Sequence, residues 1–146
     1  MRRSTRPVGW ALGLFLLVVA AVHLDLYAAG GYRFVPTIGW LFLLTAVLAA
    51  VLAAVLAIQP IRAVAGIAGL FCLGVLGGYV LSLTLPDGIF SFREPGVSAA
   101  GWMAIVAESG VALVAGGSLL ASRRSELSGR RCGRRSPQRA PRRSSR

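Results

Sequence analysis

An acid and a base interrupt apolar runs that are otherwise long and uniform. Glu108 sits near the middle of WMAIVAESGVALV, and His23 sits near the end of the run that begins at Val8. An ionised carboxylate in hydrocarbon costs at least ~2.5 kcal/mol unless it is paired, protonated or in a wet cavity. Glu108 is therefore a candidate proton-transfer or ligand-binding carboxyl facing a bundle interior. The plainer reading is a protonated or hydrogen-bonded glutamate that only holds helices together. His23 lies about one turn inside the end of its span, and Tyr27, four residues on, shares its helix face. At ~1.5 Å rise per residue, His23 stands several ångströms nearer the outer surface than Glu108, which allows a direct or water-bridged contact. The alternative for His23 is an interfacial imidazole bonded to backbone or headgroup.

Two loops share a second chemistry. One carries Asp25, Tyr32, Arg33, Phe34, Pro36 and Trp40; the other carries Phe90, Phe92, Arg93, Glu94 and Pro95. Folded together they would make an aromatic, Arg-lined extracytoplasmic cap able to bind an amphipathic molecule such as a quinone or a lipid headgroup. The bland alternative is an aromatic belt at the membrane surface, with each Arg paired locally to Asp or Glu. Other chemistries lack their residues. One His cannot make a bis-His haem site, and His23, Asp25, Asp87 and Glu94 are too scattered for a zinc spacing. There is no serine nucleophile elbow, phosphate loop or metalloprotease helix motif. The two cysteines, Cys72 in an apolar run and Cys132 in a basic tail, build no disulfide framework or redox pair, and Cys72 reads as packing. No catalytic residue, metal or cofactor is expected, and the reading is non-enzymatic.

The elements that must position these groups follow from hydropathy. The chain has 146 residues of which 55% are hydrophobic, more than one small core can bury, so the excess faces lipid. Apolar runs predict helices over about 8–27, 37–58, 63–85 and 97–121, each near the ~20 residues that cross a ~30 Å hydrocarbon core. A basic start followed by an apolar run also describes a signal peptide, but the run exceeds the usual ~7–15 residues and no cleavage signal directly follows it, so a retained helix is expected. Pro36 fits the first turn of the second span. Within that span Ala46, Ala50 and Ala54 form one small-residue column, with Ala49, Ala53 and Ala57 beside it, and Gly74-x-x-x-Gly78 in the third span is a further packing signature.

All sixteen basic residues are Arg, and ten of them follow Ala121. The net charge of +11 thus belongs to a tail, not to the body. Residues 1–7 form a short basic N-terminus, and 122–146, rich in Ser, Arg, Pro and Gly, predict a disordered tail. That tail suits anionic lipid headgroups at ~1 kcal/mol per basic residue near the surface. With no aromatic side chains for base stacking, it does not favour nucleic acid. Arg2, Arg3, Arg6, Arg62 and the tail lie on one side, and Arg33 and Arg93 on the other, so both termini are expected in the cytoplasm.

The run HLDLYAAGGYRFVPTIGWLFLL, the later GGYVLSLTLPDGIFSFREP and the Glu-bearing last helix resemble a group of uncharacterised small four-helix integral membrane proteins of high-GC Gram-positive, actinobacterial-type bacteria. The resemblance covers about residues 8 to 121 and implies a compact polytopic protein of the cytoplasmic membrane, with no activity to carry over. The expected architecture is all-α, a bundle of four transmembrane helices with a disordered basic tail. The leading functional expectation is a structural or accessory membrane subunit that packs within its bundle, as a homo-oligomer or against a membrane partner. The alternatives are an oligomeric small-molecule or proton-coupled transporter using Glu108, and a quinone- or haem-associated oxidoreductase component.

Overall fold

A computed structural model describes residues 6–133, with the side chains of 125–133 excepted. It contains α1 (Arg6–Ala28), a short 3-10 turn (Tyr32–Phe34), α2 (Ile38–Ile58), α3 (Arg62–Thr84) and α4 (Ala99–Gly133). All four α-helices are long and apolar enough to cross a membrane, and the chain is a multi-pass membrane protein. The distribution of apolar groups agrees. Large side chains such as Trp10 (66% exposed) and Leu113 (75%) point outward, whereas the interior holds Ala65, Ala68, Ala107 and Ala115 with the polar His23 and Glu108. A soluble bundle would invert that pattern.

Where helices touch, small residues set the approach. Helix α1 packs along α2 and α4, and α4 along α3. Leu12, Leu16 and Val19 meet Ala49, Ala53 and Leu56 in one buried cluster that extends to Cys72 and Val111. Lipid tails are as apolar as leucine, so close backbone approach and dispersion hold this seam more than any hydrophobic drive between helices. Gly69 shows how close: a Cβ there would come within 2.9 Å of the Ala115 Cβ. The buried stripe on α2 is Ala46, Ala49, Ala53 and Leu56, while Ala50 and Ala54 are exposed. Of the expected Ala46, Ala50 and Ala54 column, only Ala46 packs.

Helices α2 and α3 are joined by the shortest link, Gln59 to Ile61, yet they touch least of the neighbouring pairs. Between them lies a cleft, and Gly74 and Gly78 line it. A Cβ at either glycine would meet nothing within 4 Å. The Gly74/Gly78 pair is therefore a cleft wall and not the expected helix-packing contact. The lack of side chains there leaves room that a neighbour does not fill.

Two helix ends differ from the hydropathy boundaries. Helix α4 continues past Ala121 to Gly133, because Arg, Leu and Glu are good helix formers and no proline occurs before Pro137. The expected disordered tail is corrected to that extent; 134–146 lie outside the described residues, as do 1–5. Pro36 precedes α2 instead of entering its first turn. Its carbonyl accepts from the Ile38 N–H at 2.7 Å around Thr37, whose φ of 66° and ψ of −54° form a rare positive-φ γ-turn.

Candidate functional site

The polar groups gather at the end of the bundle closed by the α1–α2 and α3–α4 loops, here the capped end. His23 is set by α1 itself. Its Nδ1 lies 2.9 Å from the Val19 carbonyl one turn earlier. A carbonyl only accepts, so Nδ1 carries the hydrogen and Nε2 is turned to the bundle interior. There it lies 3.6 Å from Glu108 Oε1, with His23 5% and Glu108 2% exposed. That separation is an ion-pair contact and not a hydrogen bond. A proton held by the pair would sit either on Glu108, facing a bare Nε2, or on Nε2, facing a carboxylate.

The loops build a lid above this pair. Residues Ile89 to Phe92 exchange both backbone hydrogen bonds in a tight turn, with Phe90 and Ser91 at φ of 52° and 62°. Positive φ at both central positions is the hairpin geometry normally given to Asn-Gly. Gly88, at φ 66°, lies so close to the Phe92 carbonyl that no side chain fits. Beyond the turn the Glu94 N–H donates to the Ser82 carbonyl at 3.2 Å, and the Glu94 carboxylate, 8% exposed, receives the Tyr32 hydroxyl, which is 2.8 and 2.9 Å from its two oxygens. Burial, then Glu94, pushes the Tyr32 hydroxyl above its ordinary value. Tyr32 also stacks on Phe42 at 4.5 Å and meets the Phe92 edge at 5.7 Å, and Phe42 in turn contacts His23 at 5.3 Å.

The lid is aromatic and acidic, not Arg-lined. Arg33 lies over the Phe34 ring at 4.7 Å, and Arg93 and Asp25 are exposed. Phe90, Phe92 and Glu94 all line the cleft, with Phe90 65% exposed. Tyr27 is half-buried and lines neither space beside the pair. Among the sequence candidates, then, His23, Glu108, Tyr32, Phe92 and Glu94 come together; Tyr27, Asp25, Arg33 and Arg93 do not. Sequence reasoning missed Tyr79, Phe42 and Ser98. Tyr79 was the findable one, since a tyrosine inside an apolar run next to two glycines is an anomaly of the same kind as Glu108.

Two hollows share a wall there. The first, about 30 Å³, is lined by Glu108, Ala104, Gly101 and Ser98 from the α4 side and by Tyr32 and Leu26. The second is the cleft between α2 and α3, about 630 Å³, with walls such as Leu41, Ile67, Leu70 and Phe71. His23, Phe42, Val75, Tyr79 and Glu94 border both. Two buried polar atoms lack a hydrogen-bond partner among the described residues, Glu108 Oε1 and Tyr79 Oη. A third hollow of about 200 Å³ lies at the opposite, tail end, lined by residues including Val8, Leu12, Arg62 and Ser118, and shares none of its lining with the first. Among the described residues no group of three His, Cys, Asp or Glu side chains is placed to hold a metal. No family profile, functionally described protein or solved structure matches the chain.

Proposed function

We propose that the chain is a non-enzymatic accessory protein of a bacterial cytoplasmic membrane that takes an amphipathic molecule from the lipid phase into the cleft between α2 and α3. The carrying observation is the cleft's asymmetry. Its walls are largely apolar, and of its polar residues His23, Tyr79, Ser82 and Glu94 gather towards the capped end, with Thr45 about two turns into α2. About 630 Å³ is the size of an ordinary small-ligand site. A molecule with one hydrogen-bonding head and an apolar body matches that division. Arginine asymmetry supports a cytoplasmic location for both termini, which puts the capped end and the mouth of the cleft in the outer leaflet. The Arg-rich tail, in this reading, holds anionic headgroups on the inner face.

The other readings draw less support. A small-molecule pathway through one chain has no continuous opening to follow, since the 30 Å³ hollow beside Glu108 shares no lining with the tail-end hollow. Haem ligation through His23 Nε2 would have to displace Glu108, the group that this atom faces. The test is extraction of the full chain in its native lipid by a copolymer, with mass spectrometry of whatever is retained. Wild type is expected to hold a stoichiometric amphipathic molecule that Gly78→Leu loses, since the new side chain projects into open cleft without a clash. Bulk lipid alone in both proteins refutes the reading.

A further inference from the structure

We infer that the 30 Å³ hollow is a hydrated proton-exchange site, through which the His23–Glu108 pair trades its proton with the capped end of the bundle and not with the tail end. This holds whatever occupies the cleft. Both partnerless buried atoms, Glu108 Oε1 and Tyr79 Oη, border this hollow. A water needs roughly 10–15 Å³ and two to four polar partners; the hollow has room for one or two, and Glu94 and Ser98 supply further partners. The Ser98 Oγ accepts from the Gly101 N–H at 3.0 Å, which leaves its own O–H to donate inward. Nothing larger than water or a proton carried on water fits.

The direction follows from what closes each side. Towards the capped end the lining runs through Tyr79 and Tyr32 to Glu94 and to the exposed Ser98, at the start of α4. Towards the tail end, Leu16, Val19, Cys72 and Val111 form a fully buried layer before the tail-end hollow is reached. Polar atoms continue in one direction only. The groups facing Glu108 are His23 from α1 and Cys72 and Tyr79 from α3, with Tyr32 and Glu94 from the loops; α2 contributes only Phe42, which does not titrate. The step is a plain proton transfer. A water in the hollow gives a proton to Glu108 Oε1 or, through it, to His23 Nε2, and regains one from bulk water at the lid.

His23 is the only histidine, so a protein isotope-labelled at histidine reports this site without assignment. The measurement is the exchange rate of the His23 ring hydrogens with solvent in lipid nanodiscs, alongside the thermal midpoint of each protein. Tyr79→Phe, which removes a single oxygen, and Ala104→Leu, which fills the hollow, are each expected to slow exchange about tenfold or more. Ser118→Val, in the tail-end hollow, is expected to leave it unchanged. Equal rates in wild type and Tyr79→Phe overturn the inference, as does slowing by Ser118→Val. Rates that simply follow the thermal midpoints overturn it too, because exchange would then be reporting unfolding.

Discussion

The two halves of the bundle are built on opposite rules. In the tail-side half, Leu12, Leu16, Ala53 and Ala115 pack into one apolar buried seam, in which a Cβ at Gly69 would come within 2.9 Å of the Ala115 Cβ, and the 200 Å³ hollow lies only at its end. In the capped half the α2–α3 pair stands open, the interior is polar, and the three non-glycine residues with positive φ, among those described, all sit there: Thr37, Phe90 and Ser91. Strained backbone of that kind persists only where surrounding contacts over-determine it, and it concentrates at functional sites. The tail-side half acts as a clamp. The capped half spends the clamp's stability on two hollows and a buried acid–base pair.

If that division is right, substitutions of one kind should have opposite consequences in the two halves. The largest effect is expected from Gly69→Val, which overpacks the α3–α4 seam and should destabilise by about 2–3 kcal/mol, whereas Gly74→Val on the cleft wall should fall within about 0.5 kcal/mol of wild type. Equilibrium unfolding in mixed detergent micelles measures both. Next comes the pair: His23→Ala and Glu108→Gln should be non-additive by about 1 kcal/mol in a double-mutant cycle, a typical coupling for contacting groups. Strict additivity would mean that the 3.6 Å approach carries no energy.

The lid provides the smaller effects. Ser91→Gly should stabilise by about 1 kcal/mol, because glycine adopts the left-handed region without the Cβ penalty; loss of stability there would show that the hydroxyl, not the backbone, matters. At neutral pH Tyr32→Phe is expected to cost about 1 kcal/mol, because the buried Glu94 carboxylate loses its hydroxyl donor. Its signature lies in alkali. Because the folded protein holds the Tyr32 proton more tightly than the unfolded chain, the stabilisation is complete below the ordinary tyrosine value of 10.0 and is lost as pH rises beyond it. Thermal midpoints from pH 8 to about 11 should fall for wild type and fall less for Tyr32→Phe.

What could be read directly, and what could not, separates along the same division. Four spans were legible because each apolar run satisfies the bilayer's length requirement by itself, and Glu108 and His23 announced themselves by interrupting those runs. Packing was less legible. Ala50 and Ala54 belong to as good a small-residue column as Ala49 and Ala53, and only the rotation of α2 against α1 selects between them. Gly74 and Gly78 matched a packing pattern but line a space, since a pattern on one helix says nothing of whether a partner arrives. Arg33 and Arg93 were grouped with the aromatics of the cap by proximity in sequence, yet Glu94 turned inward to Tyr32, 62 residues away, while both arginines turned out.

The amino-acid sequence by itself determined that this protein lies in a membrane, how many times it crosses, and which two groups in its interior are costly to bury. Those are local properties, decided by the free energy of placing one segment or one side chain in hydrocarbon. Tertiary structure alone decided that the two costly groups face each other, that Tyr79 joins them, and that the space beside them opens between α2 and α3. These depend on the relative rotation and separation of helices, which in lipid are set by small differences in close packing that no single segment encodes.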